Sequence, residues 1–254
     1  MNYFPISNSR LNAFKKSPKH FIQYLTDKQP ETAAQRFGKA FHMYILEPDI
    51  FGSSYAVAPA TDRRSKLGKE IYEQFIADHV DKDIITTDDM ETIHRMADAI
   101  QADTMANELI TNLLIREDDR QWLNEQTLTP MRGIIDGVGS TYMIDLKTCT
   151  DADPYNFYNT AIRSGYHRQA AIYLDSEPET MDFYIIAVEK DAPYGISIHE
   201  LDYDLIMKGR DEFIRLIEDL KSWIDLGSPD VGYSWKNPTG IFKMNVPKWM
   251  EISS

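Results

Sequence analysis

The chain has 254 residues, of which 43% are hydrophobic, so it can bury a sizeable core, and we predict one domain spanning residues 1–254. Its formal net charge of −13 argues against a protein that coats nucleic acid through charge alone. Because Cys149 is the single cysteine, the sequence excludes an internal disulfide and a cysteine-bound zinc or iron–sulfur cluster, and any metal must be bound mainly by oxygen ligands. No apolar run is long enough to cross a bilayer, and the N-terminus lacks the pattern of a secretory signal, so we expect a cytoplasmic protein with no membrane partner.

The charge is unevenly distributed. Residues 1–70 carry 11 Lys and Arg against 6 Asp and Glu, whereas the remaining residues carry 16 against 34. A basic front and an acidic body would suit a protein that grips a polyanion on one face while clustered carboxylates hold a cation. A solvated acidic surface explains most of the negative charge equally well.

Residues 1–112 are predicted to be mainly helical. Helix caps, apolar periodicity and prolines indicate helices from Ser7 or Ser9 with a break or restart at Pro18, from Thr32 to Leu46, from near Lys69, and from Thr87 to near Asn112. The polar, basic stretch APATDRRSKLGKE before Lys69 has the composition of a surface loop.

Residues 113–254 are predicted to hold a central sheet and its flanking helices. Short runs of β-forming residues predict strands at 121–128, 131–138, 141–147, in MDFYIIAVEK and in GISIHEL. Helices are predicted at 154–163, at 166–175 and after Asp202. This order favours an α/β fold with a central mixed sheet.

Polar side chains interrupt the apolar segment GIIDGVGSTYMIDLKT, residues 133–148. If Gly139-Ser140 forms a two-residue hairpin turn, Asp136 lies opposite Met143, and Asp145 lies diagonally across on the same face. Diagonal Cβ atoms are about 7 Å apart, a span that one cation can bridge. Strand alternation places Lys147 on that face as well. The alternative is an ordinary Asp-x-Lys ion pair on a solvated strand face.

These residue types suit hydrolysis of a phosphate ester. Two aspartates can hold a hard divalent cation, which polarises a phosphate and lowers the pKa of a bound water. Lys147 can orient or deprotonate that water, or stabilise charge that develops on the phosphate.

The run from Gly133 to Thr148, followed by the segment Gln169–Tyr173, resembles the PD-(D/E)XK nuclease core in its RecB-like branch: an Asp, then D-x-K, then Q-x-x-x-Y on the next helix. Nearly the whole chain is similar to one part of that branch, the phage and prophage exonuclease VIII (RecE) nuclease domain. The further matching segments are ISNSRLNAFKKSPKHF, FGKAFHMYILEPDIF, DRRSKLGKE and MIDLKTCTDADPYNFYNTAIRSGYHRQAAIYLD.

The resemblance implies roles for individual residues. It assigns His42, Asp136 and Asp145 as metal ligands, and Lys147 as the lysine of the D-x-K motif. It assigns Gln169 and Tyr173 as supports of the metal site and of the DNA backbone. Judged from the residues alone, His42 could equally be a packed, hydrogen-bonded histidine, and Gln169 with Tyr173 an ordinary interhelical contact.

One further acidic residue and five cations are also candidates for the site. Glu125 could be an additional acidic residue before the catalytic hairpin, or a plain exposed side chain. Five cations could contact phosphates, although a solvated surface explains them as well: Arg63, Arg64, Lys66, Arg163 and Arg168.

The resemblance also implies an activity: magnesium-dependent 5′ to 3′ exonuclease action on double-stranded DNA ends, with Mn²⁺ able to substitute. Such an enzyme leaves 3′ single-stranded tails for a phage-type annealing protein, acts as a homo-oligomer and is encoded by a bacterial host or prophage. The alternatives are an endonuclease or single-strand-specific nuclease of the same fold, or a catalytically silent DNA-binding or scaffold protein.

Overall fold

The computed structural model describes residues 5–27, 31–177, 179, 181–237 and 239–246, which contain both helices and strands. The helices are α1 (Asn8–Lys16), α2 (Pro18–Thr26), α3 (Ala33–Leu46), α4 (Pro48–Ser54), α5 (Lys66–Asp78), α6 (Thr87–Ala102), α7 (Thr104–Thr111), α8 (Pro154–Ser164), α9 (Tyr166–Leu174), α10 (Tyr203–Asp225) and a short 3₁₀ helix, Tyr233–Lys236. The strands are β1 (Tyr55–Val57), β2 (Asp83–Ile85), β3 (Ile115–Asn124), β4 (Thr129–Val138), β5 (Tyr142–Cys149), β6 (Asp182–Glu189) and β7 (Ile196–Glu200).

Within the described residues, the main sheet has five strands in the order β3-β4-β5-β6-β7. The pair β5-β6 is parallel, and the other three pairs are antiparallel. A parallel pair needs a crossover connection, which α8 and α9 supply between β5 and β6. The predicted α/β fold with a central mixed sheet is confirmed. Strands β1 and β2 form a separate, parallel pair that the sequence did not predict.

Apolar side chains cover both faces of the main sheet. One core joins the sheet to α1, α9 and α10, with Phe14, Ile172 and Phe213 among its buried members. The other joins it to α3, α6 and α7 through residues such as Phe41 and Met96. The sheet is therefore the middle of three layers, and the residues of its central strands are shielded from water on both faces.

Side-chain caps set the starts of the N-terminal helices. The Ser7 hydroxyl accepts from the Arg10 amide, and the Ser17 hydroxyl accepts from the His20 amide, each at 3.3 Å. Pro18 takes the first position of α2, where its missing N–H costs nothing. The predicted restart at Pro18 is thus confirmed, with Ser7 and Ser17 as the caps and Ser9 inside α1.

Two predicted boundaries were wrong. The helix expected from Thr87 to Asn112 divides at Asp103, whose carboxylate caps α7 by accepting from the Ala106 amide at 2.9 Å. The strand expected at 121–128 begins at Ile115 and ends at Asn124. Its first half, IREDDR, is too polar to show the alternation of a half-buried strand, and pairing with β4 holds it extended.

The register of the β4-β5 hairpin also differs from the prediction. Val138 pairs with Met143 and Gly137 with Ile144, and the Gly139 amide donates to the Tyr142 carbonyl at 2.8 Å. The Gly139–Tyr142 hydrogen bond leaves Ser140 and Thr141 between its ends, so the chain reverses one residue later than predicted. Asp136 and Asp145 are the next residues on the two strands beyond the last pair, Gly137–Ile144, rather than diagonal neighbours within a continued ladder.

No helix among the described residues has both the length and the apolar character required to cross a membrane.

Candidate active site

Strands β4 and β5 separate soon after their turn, and the candidate site lies where they part. Their pairing ends at Gly137 and Ile144, although both strands continue beyond these residues. Asp136 enters the gap, and its Oδ2 accepts a hydrogen bond from the Leu146 amide at 2.7 Å. A side-chain carboxylate thus replaces the backbone carbonyl that a continued ladder would offer to this amide.

The strand alternation of β4 also changes at Asp136. Met131 and Ile135 point into the core beneath α9. A Cβ on Gly137 would instead lie 2.5 Å from Leu113 Cδ1 and 2.9 Å from Ile144 Cγ1, in the opposite core. This change of face is what lets Asp136 point along the gap rather than into either core.

Glu117 of β3 lies beside Asp136, between the paired residues Arg116–Gly137 and Asp118–Ile135. Its φ of 48° is in the left-handed region, which is unfavourable for a residue with a side chain. Strain of this kind is often found at functional positions. The irregular backbone of the two strands therefore coincides with Glu117 and Asp136.

Helix α3 brings His42 to the same place. Its Nδ1 lies 3.6 Å from Asp136 Oδ2 and 3.8 Å from Glu117 Oε1. One potential ligand atom from each of His42, Glu117 and Asp136 lies within 4.8 Å of the others. An imidazole and two carboxylates at this spacing can share a cation.

The environment of Glu117 fits a bound cation. Its buried Oε1 has no hydrogen-bond partner among the described residues. Burial, the Asp136 carboxylate and the Glu47 carboxylate raise the pKa of Glu117 to about 7. A buried oxygen left without a partner beside another carboxylate is costly, and a hard divalent ion would offset that cost. The donor set suits Mg²⁺ or Mn²⁺.

Asp145 and Lys147 lie beside this cluster on β5. Lys147 Nζ is 2.7 Å from Asp145 Oδ2 and 5.1 Å from the centre of the Tyr166 ring. Burial would lower the pKa of Lys147, but the carboxylates of Asp145 and Asp136 outweigh it, and the pKa is raised. Lys147 is therefore a cation here. Burial and the charge of Asp136 raise the pKa of Asp145, although Lys147 opposes the shift.

Helix α9 holds Asp145 from the other side. The Gln169 Nε2 donates to Asp145 Oδ1 at 2.9 Å and to the Tyr173 hydroxyl at 3.3 Å. Tyr173 packs against Gly133 of β4, where a Cβ would lie 2.5 Å from the ring. Burial and the carboxylates of Asp145 and Asp136 raise the pKa of Tyr173, so its phenol stays neutral.

The structure therefore gathers the main predicted site residues in one place: His42, Asp136, Asp145, Lys147, Gln169 and Tyr173. Their assigned roles stay predictions.

The predicted DNA contacts are divided between surface and interior. Arg63, Arg64 and Lys66 are exposed just before or at the start of α5, and Arg163 is exposed near the end of α8. Arg168 is 0% exposed, and its guanidinium donates to Asn8, Asn12 and Glu212. The suggestion that Arg168 contacts DNA was wrong, because no phosphate can reach this guanidinium.

Glu125 is not the extra acidic residue at the site. It is exposed just past the end of β3, whereas Glu117 lies near the start of that strand. Eight residues of extended chain span about 26 Å. Sequence reasoning missed Glu117 because the predicted strand began at 121. Extending the strand back through the acidic run of IREDDR would have placed Glu117 opposite Asp136.

A mixed sheet with carboxylates, a D-x-K lysine and a Q-x-x-x-Y helix at the parting of two strands defines a PDDEXK-like nuclease domain. Residues 7–229 match the family described as "PDDEXK-like domain of unknown function (DUF3799)", and the chain belongs to this family. No curated protein matches the chain.

The solved structures that are similar to this chain include the following two. One, from Eubacterium rectale, is described as a "Putative exonuclease": it has 11% sequence identity and a TM-score of 0.61, and the match covers 100% of this chain and 94% of that one. At that identity the likeness shows the fold. The other is LHK-Exo in complex with dAMP, with 14% identity, a TM-score of 0.39 and coverage of 87% and 90%, which is too distant to support an inference.

Proposed function

We propose that this protein is a magnesium-dependent exodeoxyribonuclease that hydrolyses phosphodiester bonds of double-stranded DNA from the 5′ end toward the 3′ end. The observation that carries the proposal is the cluster of His42, Glu117 and Asp136 ligand atoms within 4.8 Å, with the Asp145–Lys147 pair beside it. Packing alone does not require three carboxylates, an imidazole and an ammonium between two apolar cores.

The imidazole and the carboxylates of the site are proposed to bind the cation. His42, Glu117 and Asp136 would hold the cation, with Asp145 as a further carboxylate next to them. When bound, Mg²⁺ supplies Lewis-acid activation of the scissile phosphate and of the attacking water. Gln169 keeps the Asp145 carboxylate oriented through its 2.9 Å hydrogen bond.

Lys147 supplies positive charge to the reacting phosphate. Its ammonium is held by Asp145 and faces the Tyr166 ring, so its position is set before DNA arrives. A fixed cation in a water-poor site stabilises the charge that develops on a phosphate more strongly than a mobile one in water.

Three observations support the substrate and the direction of digestion. The sequence motifs resemble the exonuclease VIII (RecE) nuclease domain, and one similar fold is described as a "Putative exonuclease". The exposed cations Arg63, Arg64, Lys66 and Arg163 can bind DNA phosphates. We further propose that the products are 3′ single-stranded tails used in phage-type recombination by an annealing protein, and that the enzyme is a cytoplasmic homo-oligomer.

A linear duplex with a label on one 5′ end, compared with the same duplex labelled on the 3′ end, tests the proposal. With Mg²⁺ we expect early release of short 5′-labelled products and late release of the 3′ label, with no release in EDTA. Nicking of a closed circle would identify an endonuclease instead. The absence of cleavage on duplex and single-stranded DNA, with either Mg²⁺ or Mn²⁺, would overturn the proposal.

Light scattering of the purified protein tests the homo-oligomer separately. A single species with the mass of one 29.3 kDa chain across the assay concentrations would contradict it.

A further inference from the structure

Asn8, the first residue of α1, connects the candidate site to a buried charge. Its Oδ1 accepts from Arg168 Nε at 3.0 Å, and its Nδ2 donates to Gln169 Oε1 at 3.5 Å. Gln169 in turn donates to Asp145. A chain of hydrogen bonds therefore runs from Arg168 through two side-chain amides to a carboxylate of the site.

The groups at the two ends of this series of hydrogen bonds determine how the Asn8 and Gln169 amides are oriented. Arg168 has only donors, so the oxygen of the Asn8 amide must face it and the Asn8 NH₂ must face Gln169. That NH₂ requires an acceptor, so Gln169 presents its oxygen to Asn8 and its NH₂ to Asp145. An ionised carboxylate has only acceptors, and the far end of the chain is satisfied as well. Reversing either amide would set two donors or two acceptors against each other.

Arg168 is held rigidly at one end of this series of hydrogen bonds, which we call the relay. It is fully buried and is also bound by Asn12 and by Glu212, whose Oε1 lies 2.8 Å from Nη1. Asn8 itself is 9% exposed. Buried polar chains of this kind hold a single arrangement because every alternative leaves a group unpaired.

We propose that Asn8 is a positioning residue of the active site, which fixes the Gln169 amide so that its NH₂ holds the Asp145 carboxylate. The effect on cleavage rests on the proposed nuclease function, whereas the orientation of Gln169 can be measured without it.

Asn8→Asp tests the relay while preserving the fold. The new carboxylate has nearly the same shape as the amide and still accepts from Arg168, but it has no N–H to donate and sets an oxygen against Gln169 Oε1. We expect Gln169 to turn away from Asp145. The matched control is Asn12→Asp, which places the same negative charge on the same helix beside the same guanidinium. The Asn12 side chain accepts a hydrogen bond from Arg168 but takes no part in the contact with Gln169. Asn8→Ala provides a second variant that lacks the donor without adding charge.

We expect Asn8→Asp to lower kcat by about 10- to 100-fold with KM for duplex DNA changed less than about threefold, as for residues that orient metal ligands. Asn12→Asp should keep the wild-type kcat. In a Gln169→Ala background, Asn8→Asp should have little further effect, because the group it positions is gone. Equal losses in the Asn8 and Asn12 variants, or full additivity with Gln169→Ala, would overturn the proposal.

The side-chain amide resonances of ¹⁵N-labelled protein give a readout that does not depend on cleavage. The Gln169 NH₂ pair, assigned by its loss in Gln169→Ala, should shift in Asn8→Asp and Asn8→Ala and stay in place in Asn12→Asp. If the wild-type protein cleaves no DNA, the proposed function fails and this measurement still decides the role of Asn8. An unshifted Gln169 pair in both Asn8 variants would refute that role.

Discussion

The carboxylate of Asp145 is held on both oxygens, by Gln169 Nε2 at 2.9 Å on Oδ1 and by Lys147 Nζ at 2.7 Å on Oδ2. The two partners come from different elements, α9 and β5. Asp145 is 1% exposed, so water does not compete for either contact. The acid at the centre of the proposed site therefore has one orientation, which the fold sets.

Asp145→Asn should reduce DNA cleavage by at least about 100-fold, because it removes a fixed charge from the proposed reaction centre. Asparagine has the same shape, so the far-ultraviolet circular dichroism and cooperative unfolding should be retained. Asp151→Asn, which changes an exposed acid shortly after the same strand, is the control and should cleave at the wild-type rate. Cleavage by Asp145→Asn within tenfold of wild type would contradict a catalytic role.

Glu117→Gln should weaken Mn²⁺ binding by at least about tenfold, because one of three clustered ligand groups loses its charge. Isothermal titration calorimetry on the DNA-free protein measures this directly. Glu125→Gln, at the far end of β3, is the matched control and should bind as tightly as wild type. If the two variants bind alike, Glu117 is not a ligand.

Much of the scaffold of the site could be predicted from the sequence. The spacing of Asp136, Asp145 and Lys147 predicted a shared face on a hairpin, and Gln169 with Tyr173 predicted one face of the following helix. These are local relationships, set by the period of a strand or a helix within a short segment. The mixed sheet followed from the same patterns.

The remainder depends on contacts between distant segments. Glu117 joins the site because β3 extends back to Ile115 through residues with no apolar alternation, held by pairing with β4. The reversal after Val138 comes one residue later than predicted and involves Tyr142, whose hydroxyl donates to the Leu109 carbonyl of α7. Arg168 was predicted to be a surface cation because its partners Asn8, Asn12 and Glu212 are remote in sequence.

Glu212→Gln should destabilise the protein by about 3 kcal/mol at pH 7, because the buried Arg168 guanidinium loses its charged partner. A hydrogen bond with His167, together with Lys15 and Arg168, lowers the pKa of Glu212 to about 2. A depressed carboxyl pKa stabilises the folded state above the unfolded value of about 4.5 and loses that effect as the pH falls toward 2.

The difference in unfolding free energy between wild type and Glu212→Gln should therefore be constant above about pH 5 and shrink below about pH 4. Urea unfolding at several pH values measures it. A difference that grows on acidification would refute this account of Glu212.

Gly209→Ala should destabilise the fold by about 3 kcal/mol, because helices α9 and α10 approach too closely for a side chain there. A Cβ on Gly209 would lie 2.2 Å from the His167 carbonyl oxygen. Gly52→Ala on α4 is the control: nothing lies within 4 Å, and alanine should stabilise the helix by about 0.5–1 kcal/mol. Thermal unfolding compares them, and similar melting temperatures would show that α9 can move aside.

The Asp136 carboxylate accepts a hydrogen bond from the Leu146 amide in the gap between β4 and β5. The same side chain therefore stabilises the sheet and would bind the proposed cation. Truncating it would leave a buried N–H without a partner, and loss of activity in such a variant would not separate damaged architecture from missing chemistry. An inactive version intended for DNA-bound crystals is therefore better made at position 145. If position 136 must be changed, asparagine keeps an acceptor for the amide.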